Sequence, residues 1–297
     1  MFLLLLITFA LAHIATSLTG GGSLLKAGRL PLRLFSLATD ASFLYDRKDD
    51  VYESKILALA IQNCKKCLEA ENSLIEIEFP PSRKSDISVS ETLAKNRVFV
   101  RKFLQSWSNL GKSLWVLFPD NKEANLAKLD PNWGSNEKLS FTVTSLESVV
   151  KMRASEMDAT LLPKLIICVN PGFNVEEWIQ LSKIQFNAPT IVINGNLDRL
   201  RNGYYPSFFY PELTRVSKDY YSKASQALFL SPIAIRGDRF AAWLTKTYLA
   251  PWQVLLRDRT AAGACDVILS SDTPPDATKA WNAAKTEYIS RNGGGWF

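Results

Sequence analysis

The chain has 297 residues, 47% of them hydrophobic and 22% charged, a composition typical of a globular protein with a sizeable core. Its formal net charge is +6, but residues 1–39 contain three basic residues and no Asp or Glu. Residues 40–297 are therefore close to charge balance, which excludes the strongly basic surface expected of a nucleic-acid-binding protein.

The N-terminal segment predicts a targeting sequence. Residues 1–17, MFLLLLITFALAHIATS, are typical of a signal peptide, because their apolar run is too short to span a bilayer. Residues 18–40 are basic, acid-free before Asp40 and rich in Ser, Leu and Gly, as in a transit peptide. This bipartite order is used by algae with secondary plastids, so we expect a plastid protein; the alternative is a secreted protein. Residues 41–297 are expected to form a single α/β domain without a transmembrane segment.

The first elements after the leader combine helical and strand patterns. Apolar spacing predicts helices over 51–70 and 88–108, and a short helix over 120–127. Residues 73–79 alternate apolar and polar, which predicts a strand with one solvent-facing side. The uninterrupted apolar run LWVLF at 114–118 predicts a strand covered on both faces.

The middle of the chain alternates strands with helices. Strands are predicted at 141–144, 165–169 and 190–194, and helices at 145–157 and 175–184. Such alternation is typical of right-handed crossovers in a parallel sheet with helices on both faces.

The alternation of predicted strands and helices ends after residue 202. A helix over 211–225 is followed by closely spaced strands and a closing helix over 276–290, and short connections favour antiparallel pairing. We therefore predict an α/β fold: a mostly parallel, Rossmann-like three-layer sheet with antiparallel edge strands in the C-terminal third. The strands concerned are 227–235, 243–248, 251–256 and 267–270.

Several kinds of catalytic and cofactor site are excluded by residue content. The only histidine, His13, lies in the predicted signal peptide, so the mature protein would have no Ser-His-Asp or Cys-His nucleophile and no histidine-ligated metal. No G-x-G-x-x-G follows a predicted strand, which excludes the usual dinucleotide site. We predict no cofactor and no metal centre.

Cys64 and Cys67 form a C-x-x-C motif inside the first predicted helix. Redox motifs of this kind lie at a helix N-terminus, where the helix dipole lowers the thiol pKa. Because this motif lies late in its helix, we predict that both cysteines pack in the core.

Polar side chains follow the carboxyl ends of three predicted strands. Asp120 lies in the first turn, Asn170 in the second, NPGFN, and Asn194 and Asp198 in the third. Ligands of open α/β sheets bind at this edge, so these four residues are a candidate ligand-binding group. The alternative is that they only shape turns and helix starts, which favour the same residue types.

Five aromatic residues crowd the segment 203–210, GYYPSFFY. We predict that Tyr204, Tyr205, Phe208 and Phe209 form a protein-interaction surface, because aromatic residues are enriched at interfaces. A lid that folds over the sheet edge is the alternative.

A series of short motifs resembles a known family. The segments LIEIEFPP (74–81), LWVLFPDNKEANLAK (114–128), LIICVNPG (165–172), TIVINGN (190–196), ALFLSPIAIRGDR (227–239) and TYLAPWQVLLRD (247–258) occur in this order. Together they resemble the uncharacterised plastid and cyanobacterial domain of the Low PSII Accumulation three-type proteins, over about residues 45–260. The same domain is appended to a plastid adenylate kinase.

The resemblance implies a plastid accessory protein, with photosystem II or other thylakoid proteins as partners. It implies a role in photosystem II assembly or thylakoid biogenesis, and it transfers no catalytic residues. The alternative is a small-molecule or nucleotide-binding enzyme with its site at the carboxyl ends of the strands.

Overall fold

The computed structural model describes residues 37–46, 48–82, 87–130, 141–152, 162–184, 186–257 and 265–292. These residues belong to one compact unit, Leu34–Phe297. The predicted signal peptide and residues 18–36 of the predicted transit-like segment lie outside the described residues. Within the described residues, no helix is both long enough and apolar enough to cross a membrane.

In the described part of the chain, nine strands form one sheet. They are β1 (Leu74–Glu78), β2 (Leu114–Phe118), β3 (Thr142–Ser145), β4 (Leu165–Val169), β5 (Thr190–Ile193), β6 (Ser225–Ile235), β7 (Asp238–Thr247), β8 (Trp252–Arg257) and β9 (Cys265–Ser271). Their order is β3-β2-β4-β5-β1-β6-β7-β8-β9. Pairing is parallel from β3 to β6 and antiparallel from β6 to β9, which confirms the predicted fold class.

Helices flank the sheet. The α-helices of the described residues are α1 (Asp49–Glu69), α2 (Val89–Leu104), α3 (Asn121–Leu129), α4 (Leu146–Val150), α5 (Val175–Ser182), α6 (Leu197–Arg201), α7 (Pro211–Asp219) and α8 (Ala277–Asn292). Segments of 3₁₀ helix lie at Leu37–Tyr45, Gln105–Ser113 and Tyr221–Lys223, and the second is interrupted by non-helical backbone at Trp107 and Gly111. The helix predicted over 88–108 thus ends at Leu104 and continues as 3₁₀ structure.

Alternate residues of the central strands face two separate hydrophobic cores. In β4, Ile167 packs in the core that contains α1, α2 and α3, whereas Ile166 and Cys168 pack with α4, α5, α6 and α7. The helices that follow β1 and β2 therefore cover one face of the sheet, and those that follow β4 and β5 cover the other. Helix α8 packs with Val254 and Leu256 at the antiparallel end.

The C-x-x-C motif of α1 is part of the first core. Cys64 and Cys67 have no exposed surface and are not joined by a disulfide. Burial raises the pKa of the Cys67 thiol to about 12 and that of Cys64 well above its usual range. Both thiols stay protonated at neutral pH, which confirms their predicted packing role.

The prediction that β1 has one solvent-facing side is wrong. Glu76 has no exposed surface, and its two carboxylate oxygens accept hydrogen bonds from Arg201 at 2.6 and 2.8 Å. Gln226 donates a further hydrogen bond to Glu76 at 3.2 Å. Alternation of charged and apolar residues normally marks a wet face, but here Arg201, 125 positions further along, supplies the counter-charge that permits burial.

A candidate ligand-binding crevice at the ends of the parallel strands

A crevice of about 350 Å³ lies at the carboxyl ends of the parallel strands. It is lined by the end of β1, by residues that follow β1, β4 and β5, by α2, by the middle of β6 and by Arg239 of β7. Strands β1 and β5 are neighbours, but the helices that follow them lie on opposite faces of the sheet. The chain segments that follow the two strands therefore diverge, and such a point is where open α/β sheets bind ligands.

Three of the four predicted ligand-binding residues line this crevice: Asn170, Asn194 and Asp198. The fourth, Asp120, does not line it. Asp120 is exposed and caps α3, accepting a hydrogen bond from the backbone N–H of Glu123 at 2.8 Å. For Asp120 the structure supports the alternative stated from the sequence, a residue that begins a helix.

Asn170 and Asn194 end β4 and β5 in the left-handed backbone conformation, each with a φ of 52°. Asn tolerates this conformation better than most residues. Their backbone N–H groups donate to the carbonyl oxygens of Ile193 and Ile77, both at 2.8 Å. Each strand end is thereby tied to its neighbour, so the two asparagines have fixed positions at the crevice.

The side-chain amides of three asparagines form a chain of hydrogen bonds. The backbone N–H of Phe79 donates to Asn194 Oδ1 at 2.9 Å. Asn194 Nδ2 then donates to Asn96 Oδ1 at 2.8 Å. Asn96 Nδ2 in turn donates to Asn170 Oδ1 at 2.8 Å. This amide chain links the ends of three strands with α2, and all three asparagines are at most 6% exposed.

The last group of the amide chain is Asn170 Nδ2. It donates no hydrogen bond to any residue that the structure describes, although Asn170 is only 3% exposed and lines the crevice. Among the described residues, the fully buried side-chain donors without a partner are the indole N–H groups of Trp115 and Trp243, so Asn170 Nδ2 keeps some accessible surface. An accessible, unpartnered amide donor on a residue that lines a crevice is a candidate contact for a ligand.

The NPGFN turn after β4 does not offer its backbone N–H groups to a ligand. The N–H groups of Gly172 and Phe173 donate to Glu177 Oε2 at 2.7 and 3.0 Å. Asn174 caps α5 through a hydrogen bond from the N–H of Glu176 at 3.2 Å. The chain's own carboxylate thus occupies the place that an anion would take at such a turn.

Trp178 joins the two turns that follow β4 and β5. Its indole N–H donates to the carbonyl oxygen of Gly195 at 2.8 Å, and its side chain is fully buried. Gly172 has a φ of 124°, and a Cβ there would lie 2.5 Å from Trp178 Cζ2. Glycine at position 172 is therefore required both by the backbone conformation and by the close approach of the indole ring.

A carboxyl group with an unusual proton affinity lines the crevice. Burial raises the pKa of Glu78 well above its usual range, and the nearby charges of Glu76 and Asp198 raise it further. The backbone N–H of Asn196 donates to Glu78 Oε2 at 3.0 Å. Burial thus favours the neutral form of Glu78. Among the described residues, no group of three or more His, Cys, Asp or Glu side chains is arranged to hold a metal ion.

Two arginines also line the crevice. Arg199 is exposed, with its guanidinium carbon 5.8 Å from the ring centre of Tyr204, and Arg239 is half-buried, 5.5 Å from the ring centre of Phe240. Guanidinium groups match the geometry of carboxylate and phosphate groups, so these two side chains favour an anionic ligand.

The predicted protein-interaction residues lie at the surface near the crevice. Phe208, Phe209 and Tyr204 are 87%, 72% and 68% exposed. Tyr205 is half-buried, with its ring centre 5.4 Å from that of Trp178, so it attaches the segment to the core. Residues 203–210 do not line the crevice, so in this structure the segment is not a lid over it.

Two site residues were missed by sequence reasoning. Asn96 has the spacing of the apolar stripe of α2, three and four positions before Phe99 and Val100, and a polar residue in such a stripe was the available signal. The alternating pattern of residues 73–79 places Glu78 on a solvent-facing side of the strand. Its role depends on segments far away in the chain, and no local pattern identifies it.

A comparison with models of protein families identifies the family of this chain. A family model described as "Domain of unknown function (DUF1995)" matches residues 54–280. The chain belongs to the DUF1995 family. The matched region of this DUF1995 protein includes all nine described strands and the crevice, and it agrees with the predicted resemblance to an uncharacterised domain. Comparisons with curated proteins and with solved structures give no significant match.

Proposed function

We propose that this DUF1995 protein is a plastid accessory protein that binds other proteins during photosystem II assembly or thylakoid biogenesis. The motif series that resembles the Low PSII Accumulation three-type proteins supports this setting. The basic, acid-free segment that follows the predicted signal peptide supports a plastid location. A non-catalytic role is compatible with a mature chain that would lack histidine and any nucleotide-binding glycine motif.

The observation that carries the proposal is the exposure of the aromatic segment. Phe208 and Phe209 are in contact with each other, with ring centres 5.3 Å apart, and both are more than two-thirds exposed. Burying one such ring in an interface contributes about 1.5–3 kcal/mol. Adjacent exposed aromatic side chains therefore favour a protein partner that covers them.

Affinity capture from solubilised thylakoids tests the proposal. The wild-type protein should retain photosystem II subunits, and the double variant Tyr204→Ala/Phe208→Ala should retain less of them. Leu129→Ala and Leu249→Ala are matched controls, since these apolar side chains are 78% and 67% exposed elsewhere on the surface. Undiminished capture by the double variant would exclude the aromatic segment as the contact.

The proposed location has a separate test. Sequencing the N-terminus of the protein isolated from its native cells should place the first residue after the transit-like segment, near residue 40, in purified plastids. A mature N-terminus at residue 18 in the culture medium would instead identify a secreted protein.

A second candidate function is supported by the crevice. Its position at the divergence of β1 and β5, together with the unpartnered amide of Asn170, favours a small-molecule or nucleotide-binding protein, including an enzyme. Thermal unfolding with nucleotides and phosphorylated metabolites, with and without Mg²⁺, tests this function. A compound at a hundredfold excess over its Kd should stabilise the protein by about 2.7 kcal/mol. If no compound changes the melting temperature, this second function is wrong.

A further inference from the structure

We propose that the crevice binds an oxyanion, the carboxylate or phosphate group of a small molecule, and that Asn170 is its fixed hydrogen-bond donor. This inference rests on the second candidate function, a small ligand in the crevice. It goes further by stating which chemical group the crevice selects.

The direction of the amide chain is set by the protein backbone. The N–H of Phe79 can only donate, so Asn194 must direct its Oδ1 towards it. Asn194 Nδ2 is then the group that donates to Asn96, so Asn96 must accept this hydrogen bond with its Oδ1. Asn96 Nδ2 then meets Asn170 Oδ1. Turning any single amide over would place two donors or two acceptors against each other.

The direction of the amide chain determines which side-chain group of Asn170 is left to face the crevice. Because Asn170 Oδ1 is committed to Asn96, the group left over is its Nδ2, which can only donate. Asn170 is 3% exposed and its Nδ2 has no acceptor among the described residues. A ligand oxygen would satisfy this donor, whereas a ligand N–H would meet a second donor.

Charge and size narrow the ligand further. The guanidinium groups of Arg199 and Arg239 belong to residues that line the crevice. Guanidinium groups match the geometry of carboxylate and phosphate, and hydrogen bonds to charged acceptors are the stronger kind, so these side chains favour an anionic ligand. The volume of about 350 Å³ is close to the lower limit for small-molecule pockets, about 300 Å³. It suits a small carboxylate or phosphate compound rather than a dinucleotide.

Two isosteric variants change the hydrogen-bonding group that faces the crevice while they keep the size of the side chain. In Asn170→Asp, one carboxylate oxygen still accepts from Asn96, but the donor that faces the crevice becomes an acceptor. In Asn194→Asp, both oxygens accept, so Asn96 must turn over to donate to position 194. Asn170 must then turn as well and donate to Asn96, and its Oδ1 becomes the group that faces the crevice.

The experiment uses the full chain and titration calorimetry with three probes: inorganic phosphate, acetate and methylguanidinium. Wild type should bind phosphate or acetate and not methylguanidinium, and separate titrations show which anion is preferred. Asn170→Asp should weaken anion binding by at least about tenfold to a hundredfold, because it removes a hydrogen bond to a charged group and adds a like charge that faces the anion. Asn194→Asp should lose anion binding and gain binding of methylguanidinium.

The unmodified protein offers a second measurement that does not depend on whether a variant folds. The side-chain amide resonance of Asn170 should shift when the wild-type protein is titrated with the anion that binds. Anion affinity unchanged in Asn170→Asp, or an unshifted resonance, would overturn the inference while leaving a ligand site in the crevice. If none of the probes, nucleotides or metabolites binds, both the inference and the second candidate function are wrong.

Discussion

The buried ion pair between β1 and α6 gives the sharpest prediction about stability. Glu76 is fully buried and accepts two hydrogen bonds from Arg201 at 2.6 and 2.8 Å. We expect Arg201→Met to destabilise the protein strongly, because it leaves a buried carboxylate without its counter-charge. Only the hydrogen bond from Gln226, at 3.2 Å, would remain.

The expected loss follows from this geometry. Removing one partner of a buried ion pair typically costs about 3–5 kcal/mol. In a domain of this size, 1 kcal/mol corresponds to about 2–4 °C, so Tm should fall by about 6–20 °C. The double variant Glu76→Met/Arg201→Met removes both charges, and Gln226 keeps its hydrogen bond to the carbonyl oxygen of Ala224 at 2.9 Å. We expect it to recover most of the lost stability.

Urea unfolding of the two single variants and the double variant measures this coupling. Lys151→Met is the matched control, because Lys151 pairs with Glu147 at 3.0 Å on the surface, with 73% and 50% of the two side chains exposed. It should cost less than about 1 kcal/mol. If Arg201→Met lowers the free energy of unfolding no more than Lys151→Met does, the buried carboxylate of Glu76 does not need its counter-charge. If the double variant is as unstable as Arg201→Met, the loss comes from packing instead.

Three further predictions concern protonation, backbone conformation and thiol reactivity. Because burial raises the pKa of Glu78, the folded protein keeps a proton that the unfolded chain releases, and the free energy of unfolding should fall as pH rises above the ordinary Glu value of about 4.3. Glu78→Gln should flatten this part of the urea-unfolding profile between pH 4 and 8 and stabilise the protein at pH 7; an unchanged slope would contradict a raised pKa. Gly172→Ala should cost more than Gly203→Ala by thermal unfolding, since both have positive φ but only position 172 brings a Cβ into a side chain and a backbone oxygen; equal costs would refute the steric part. The Cys67 thiol should react with a maleimide only after denaturation, and rapid labelling of the native protein would exclude its burial.

The elements that the sequence predicts best are those whose signal is local. The strands at 114–118 and 165–169 have the predicted bounds, because an uninterrupted apolar run of five residues between turn residues can only be stable when buried on both faces. The change from alternating strands and helices to closely spaced strands likewise predicts antiparallel pairing, since short connections cannot cross over a sheet.

Only some residues of the candidate site have a local signal in the sequence. Asn170 and Asn194 could be placed at the carboxyl edge from sequence because each directly follows a strand. The inclusion of Asn96 and the exclusion of Asp120 could not be predicted in the same way. They depend on which strands are neighbours, and no residue pattern states that order.

Hydrophobic period and turn chemistry act over a few residues, so the amino-acid sequence is enough to predict the set of elements, the α/β class and the edge of the sheet where polar turns collect. The position of β1 between β5 and β6 has no such local signal and is seen only in the folded chain. That placement brings the N–H of Phe79 to Asn194 and thereby directs the amide of Asn170 into the crevice. It also brings Arg201 to Glu76. Both contacts join residues more than a hundred positions apart, and they form because the packing of helices on the two faces selects the strand order.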